Sequence, residues 1–499
     1  MGDLGKNDTA MLTIPNVGRV TYISGPHFVC ADGVQIWADS AVAYEGRAMT
    51  HLIGSVLYVD ATRELRADEA RYFSDLGRIQ AEGNVSVRDE AQGSSIENGD
   101  LVLLRQTDFR AEETMTVTTG ADGIRPRATL APARDSSDLN ADPGTPYTVV
   151  GDRIVLRGSS YFTSVGDVEI VRDSLFAFAD SVEYDQTLGY LMLEGSARVE
   201  SESYNLWGRT IRIGLPGAET SRVHALRDAR LTGGDLVLTS AQIIVFLRDN
   251  AFERLVATRL GDGVQFADSA DLARPEARVQ SFVLTADSLE VEAPNQTVRR
   301  IFAAGSARSV STSRDSLNVD LLPDIALSDW LEGDTVIVTF RTDDAATSSY
   351  SAADDDANGE RDELDVETIV ARGNASTLYR LTPSDTTAIA GIDPPAVHYV
   401  VGDEITIRME SGEVHGMEVI GRTRGVHLEP LSRPAPADSA VAARDTSAVA
   451  DSTSTIDTVT IARARSKLDP VGRRPKPPNT HEPPATSGAA REVDPWILP

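Results

Sequence analysis

Apolar and polar positions alternate over most of this chain, and the alternation breaks at recurring places. Between residues 65 and 87 the first apolar set is Leu65, Ala67, Ala70 and Tyr72, with Asp68 between the two pairs. Strand side chains point to alternate faces, so in a straight strand this set would change face at the aspartate. A bulge or corner at Asp68 keeps all four on one side. The following Ile79, Ala81, Gly83, Val85 and Val87 alternate strictly and predict a half-buried return strand.

The same frame (apolar, any, Ala or Gly, Asp, any, apolar, any, apolar) recurs around Asp39, Asp152, Asp180, Asp287, Asp334 and Asp403, while Asp100 fits only its second half. Residues 206–213 and 238–245 keep the apolar frame but carry Arg209 and Ala241 in place of the acid. The roughly ten copies stand about 28 to 32 residues apart where undisturbed, a period that predicts a stacked repeat. Return strands follow at residues 191–199, 301–307 and 369–375. The expected fold is all-β: an elongated array of repeated strands with one apolar face throughout. That face is expected to hold Ala41, Ala43, Leu65, Ala67, Ala70, Tyr72, Ala179, Val182, Tyr184, Leu206, Ile211, Ile213, Leu238, Ile243, Val245, Leu284, Leu289 and Val291. Small residues among these leave room that Leu or Phe would fill.

A ladder of aspartates invites an acid–base reading, since paired carboxylates run glycoside hydrolysis. The structural reading fits better. Asp at a corner accepts backbone N–H groups where pairing is broken, and Ala or Gly before it allows the bend. Arg209 and Ala241 show that the position tolerates loss of the acid. Asp39, Asp68, Asp100, Asp152, Asp180, Asp287, Asp334 and Asp403 are therefore read as structural corners.

The tandem pattern of Ala67-Asp68 with Tyr72, residues 81–85 (AEGNV), residues 179–184 (ADSVEY), Ala286-Asp287 and residues 372–375 (RGNA) resembles the OstA-like (LptA-like) family of lipopolysaccharide-transport periplasmic proteins. The resemblance covers about residues 14–430. It implies an open, taco-like β-jelly-roll whose apolar groove, between two sheets, holds the acyl chains of lipid A. It also implies a periplasmic location, and an inner-membrane extraction complex and an outer-membrane translocon as partners. The residues alone leave two alternatives open: a β-solenoid polysaccharide-active enzyme, and an envelope scaffold that binds no ligand.

Composition narrows the function further. The net charge of -29 over 499 residues excludes the basic stripes that nucleic acid requires. A single cysteine, Cys30, allows no internal disulfide. No apolar run is long enough for a membrane-spanning helix. Residues 1–13 show no apolar leader, so a periplasmic home implies a start placed too far downstream or a removed leader. No HExxH, GxSxG or phosphate-loop motif occurs, so no catalytic residue, metal or cofactor is nominated. Residues 354–365 have the spacing of a calcium loop, but end in Asp365 rather than Glu and read as an acidic solvated loop.

The expected organisation is a disordered residues 1–13, a first repeat segment 14–121, and a loop or linker 122–146. A second repeat segment 147–430 follows, with an acidic insertion at 342–363, then a disordered tail 431–499 rich in Pro, Ala, Ser and Thr. Neither end of the array carries Lys- or Pro-rich blocking, which predicts head-to-tail pairing with itself or with homologous sheets.

Overall fold

The structure is a computed structural model. It describes residues 2–3, 8–30, 33–89, 93–107, 110–130, 145–158, 160–202, 204–214, 221–248, 251–260, 273–279, 282–294, 297–311, 318–320, 322–341, 365–381, 383, 393–410 and 413–430. By contact the chain divides into Met1–Leu431 and Ser432–Pro499, and the second unit lies outside the described residues. The expectations for the tail and for the acidic insertion lie there too. Of the calcium-like loop only Asp365 is described, and it stands 3.4 Å from Arg341.

Among its described residues the first unit is all-β, with helix confined to short 3-10 turns such as Glu45–Arg47 and Ser74–Leu76. Its building rule is visible at Arg63–Phe73. One side of this strand pairs along its length with Met49–Val59. On the other side residues 69–73 pair with Arg78–Glu82, and residues 63–66 pair with Ser86–Asp89. One strand therefore feeds two ladders. Tyr161–Arg172, Leu175–Asp185, Tyr190–Glu200, Asn205–Gly214, Ser221–Gly233 and Leu236–Arg248 follow as antiparallel neighbours, each with a register shift near its middle. The result is two β-layers joined along one line where the long strands turn a corner. The first layer holds residues 69–73 and their partners; the second holds residues 63–66 and theirs.

Alternation sends one face of each half-strand inward. Leu65 and Ala67 in the second layer, and Ala70 and Tyr72 in the first, are all buried, while Asp68 is exposed. Inward residues of both layers belong to one core cluster extending from Phe28 to Met409. Layers packed this way lie about 10 Å apart, and their interdigitated side chains supply the hydrophobic stabilisation.

Three expectations are corrected. The segment after Gly77 is not a straight return strand: Gly83 and Asn84, with φ of +74° and +44°, turn the same corner as Asp68. Within the expected loop or linker 122–146, residues 127–130 form a strand. Thr114–Thr118 pairs directly with Arg153–Arg157, and Arg127–Leu130 pairs with Tyr147–Val150, so the ladder runs through. Its Pro- and Ala-rich composition hid the short alternation Arg127, Ala128, Thr129, Leu130. Near the N-terminus Thr9–Ile14 forms a strand against Gly18–Ser24, because backbone pairing extends it although its side chains stay mostly exposed.

Candidate functional site

The corner line is built from two alternating devices. At one, a single aspartate breaks the alternation. At its neighbour, two residues with positive φ do so, the first usually glycine. Asp68 donates its backbone N–H to the Gly83 carbonyl at 2.8 Å and accepts from Asn84 Nδ2 at 2.8 Å. Asp39 repeats this with Gly54 at 2.8 Å and with the Ser55 hydroxyl at 3.0 Å. Asp334 accepts from Asn374 Nδ2 at 3.2 Å.

Glycine is required because the aspartate lies over it. A Cβ at Gly83 would stand 2.7 Å from Asp68 Oδ2, and one at Gly195 would stand 2.7 Å from Asp180 Cγ. The pairs Asp39–Gly54, Asp152–Gly166, Asp287–Gly305, Asp334–Gly373 and Asp403–Gly421 follow the same arrangement. At Arg209, where the acid is missing, the facing glycine is missing too. Arg209 faces Arg227 and Asp228, both at positive φ, and donates to Asp228 Oδ2 at 2.9 Å. Asp100 is the exception among the expected corners. The turn there is made by Asn98 and Gly99, with φ of +69° and +82°, and Asp100 opens the next strand opposite Thr118. Burial, and then the like charges of Glu82 and Asp122, raise its pKa. Among the described residues no group of three His, Cys, Asp or Glu side chains is placed to hold a metal.

The expected inward residues are brought together. Ala41, Leu65, Ala67, Ala70, Tyr72, Ala179, Val182, Leu206, Ile211, Leu238, Ile243, Val245, Leu284, Leu289 and Val291 all lie in the one core cluster. Tyr184 and Ile213 pack against it, and Tyr184 stacks on Phe162 at 5.0 Å. Ala43 is only half-buried and lies outside the cluster. The alanines do not leave a vacant lane. Ala38 and Ala41 flank Asp39, and Ala67 and Ala70 flank Asp68, all buried where the layers converge on the corner line. Small side chains fit there because the gap is narrow.

Opposite the corner line the layers meet along a seam of strand ends and loops. At Tyr204 and Phe252, from opposite layers, the rings lie 6.3 Å apart and both are buried. Burial pushes the Tyr204 hydroxyl up to about 12. Around Arg63 the seam holds two pockets. A pocket of about 530 Å³ has Val87, Ile96, Met115, Leu130 and Leu156 as its apolar floor, with Arg63, Asp89, Glu112, Glu113 and Arg157 around its mouth. A second pocket of about 480 Å³ lies beside it, lined by Val34, residues 60–63, residues 105–107 and Glu113. Sequence reasoning missed Arg63, Glu113 and Arg157. Arg63 and Glu113 are fifty residues apart, and no local motif links them.

Fold and site together define an all-β array: two layers joined along one line around a shared apolar interior. No protein-family model matches this chain. No curated protein matches it. Among solved structures it is similar to LptH from Pseudomonas aeruginosa, described as the LptA homologous periplasmic component of the conserved lipopolysaccharide transport device. The identity is 16%, the match covers 33% of this chain and 82% of that chain, and the TM-score is 0.17. Among the described residues no helix is long and apolar enough to cross a membrane.

Proposed function

We propose that this chain is a non-enzymatic lipid-carrying module. It moves or bridges lipopolysaccharide through the periplasm towards the outer membrane, with acyl chains between the two layers and sugars in water. The observation that carries the reading is one large apolar cluster, from Phe28 to Met409, between layers whose strands are continuous along one line. The OstA-like strand pattern supports the choice of lipid. Each buried methylene contributes roughly 0.8 kcal/mol, so one acyl chain competes with the side-chain contacts it displaces when the seam parts.

The ends of the array support a bridging role. Among the described residues, Thr9–Ile14, Glu413–Ile420 and Arg424–Leu428 each pair on one side only. They expose apolar side chains, with Met11 at 66% and Leu428 at 60%. Unpaired apolar edges suit strand addition. In this reading they meet homologous sheets of the inner-membrane extraction complex and the outer-membrane translocon, or a second copy head to tail.

The test compares intact lipopolysaccharide with its delipidated polysaccharide, using the purified full chain. Saturable binding of the intact molecule alone is expected. Equal binding of the delipidated form would favour surface recognition of sugar, and cleavage of it would replace transport with an enzymatic role.

A further inference from the structure

The seam does not close in the same way along its length. At Tyr204 and Phe252 buried rings from the two layers seal it. At Arg63 it is held by charge. Arg63 opens the second-layer half of its strand, and Glu113 immediately precedes the first-layer strand Thr114–Thr118, so their ion pair crosses from one layer to the other. The Arg63 side chain is 14% exposed and that of Glu113 25%, far less than an ordinary surface pair. Asp60 Oδ2 lies 3.3 Å from Arg63 Nε and steadies it. Burial works against the charged guanidinium, but Glu113, by attraction and hydrogen bond, and then Asp60 outweigh it and raise the Arg63 pKa.

The two seam pockets lie on either side of this pair, and Arg63, Gln106 and Glu113 line both. The floor of the larger one is continuous with the interior. Val87, Ile96 and Met115 belong to the core cluster, and Leu130 and Leu156 pack against it. Val87, Ile96 and Leu130 come from the second layer, Met115 and Leu156 from the first. An apolar floor contributed by both layers beneath a charged mouth has the polarity of an amphiphile with its tail directed inward.

We propose that the pocket beside Arg63 is a lateral entry port for the acyl chain of a lipid, and that the Arg63–Glu113 ion pair is the clasp that holds it shut. The inference rests on the lipid-carrying reading and adds where the lipid enters and what gates it. A paired, partly buried charge resists separation of the layers while both partners are ionised; removing one charge frees the edges without emptying the core.

The test uses the full chain and stopped-flow association of cis-parinaric acid, a fluorescent fatty acid. Glu113→Gln keeps the shape and one hydrogen bond but removes the charge, and is expected to speed association at least threefold. A second variant carries Arg63→Cys and Glu113→Cys in a Cys30→Ser background, bridged by a short reducible bis-thiosulfonate linker. Bridging is expected to slow association at least tenfold, and reductant to restore it. If the unaltered protein fails to bind the fatty acid or lipopolysaccharide, the lipid-carrying reading itself falls. If it binds but neither variant changes the rate, lipid enters elsewhere and the clasp is overturned while that reading stands. The bridged protein keeps the test decisive should Glu113→Gln fold poorly.

Discussion

Truncating Leu206 to alanine is expected to lower the stability of the array by about 2–5 kcal/mol, the range for deleting a large aliphatic side chain from a packed core. Leu206 is fully buried in the core cluster, on the second-layer half of Asn205–Gly214. Its backbone is paired on both sides, to Val199 and Leu231, so the strands cannot readily collapse into the space left behind. The substitution also separates two states of the interior. If the layers stand apart in solution around an open groove, Leu206 already faces a void and its truncation costs well under the lower limit. Denaturant midpoints measure the loss. Hydrogen exchange across residues 190–233 shows whether it stays local, as expected where each strand contacts only its neighbours.

The second large effect is at the corner line. Gly195→Ala is expected to cost about 2–4 kcal/mol, combining strain of a left-handed backbone with overpacking. Gly195 has φ of +76°, and an added Cβ would stand 2.7 Å from Asp180 Cγ and 2.8 Å from Asp180 Cβ. The Asp180 Cβ is fixed by the backbone of a strand paired on either side, so it cannot swing away as the carboxylate can. Shortening the acid alone leaves the Cβ approach in place. Asp180→Ala combined with Gly195→Ala should therefore recover only part of the loss, and thermal melts of the two single variants and the double variant check this. Full recovery would mean that the carboxylate alone demands the glycine.

The corner rule accounts for what the sequence did and did not disclose. Asp68 was legible because a single residue between Ala67 and Ala70 shifts the phase of the apolar set. The turn at Gly83 and Asn84 was not, because Ala81 and Val85 are four apart and strict alternation survives a two-residue corner. The coupling of the two devices could have been found in the fifteen-residue spacing of Asp39 and Gly54, Asp68 and Gly83, and Asp180 and Gly195. Asp100 misled because its apolar partners Val102 and Leu104 mimic the second half of the frame, while Asn98 and Gly99 make the bend. The inward alanines beside Asp39 and Asp68, too small to fill a wide interior, sit buried at its convergent edge. The residues around the seam pocket carried no signal, since their proximity arises only when two layers close over a common core.

The most direct test of the central claim uses the alternation of faces itself. Leu156 and Val155 are adjacent on Arg153–Arg157, and Leu156 points to the interior floor of the seam pocket while Val155 points outward. Val291 and Glu290 form a second inward and outward pair on Ser288–Glu292. A photoreactive phenylalanine derivative placed at each position in turn, irradiated with bound lipopolysaccharide, reports which face the lipid touches. The expected result is cross-linking from positions 156 and 291 and none above background from 155 and 290. Equal labelling of both faces, or labelling from 155 and 290 alone, would contradict a lipid held between the layers.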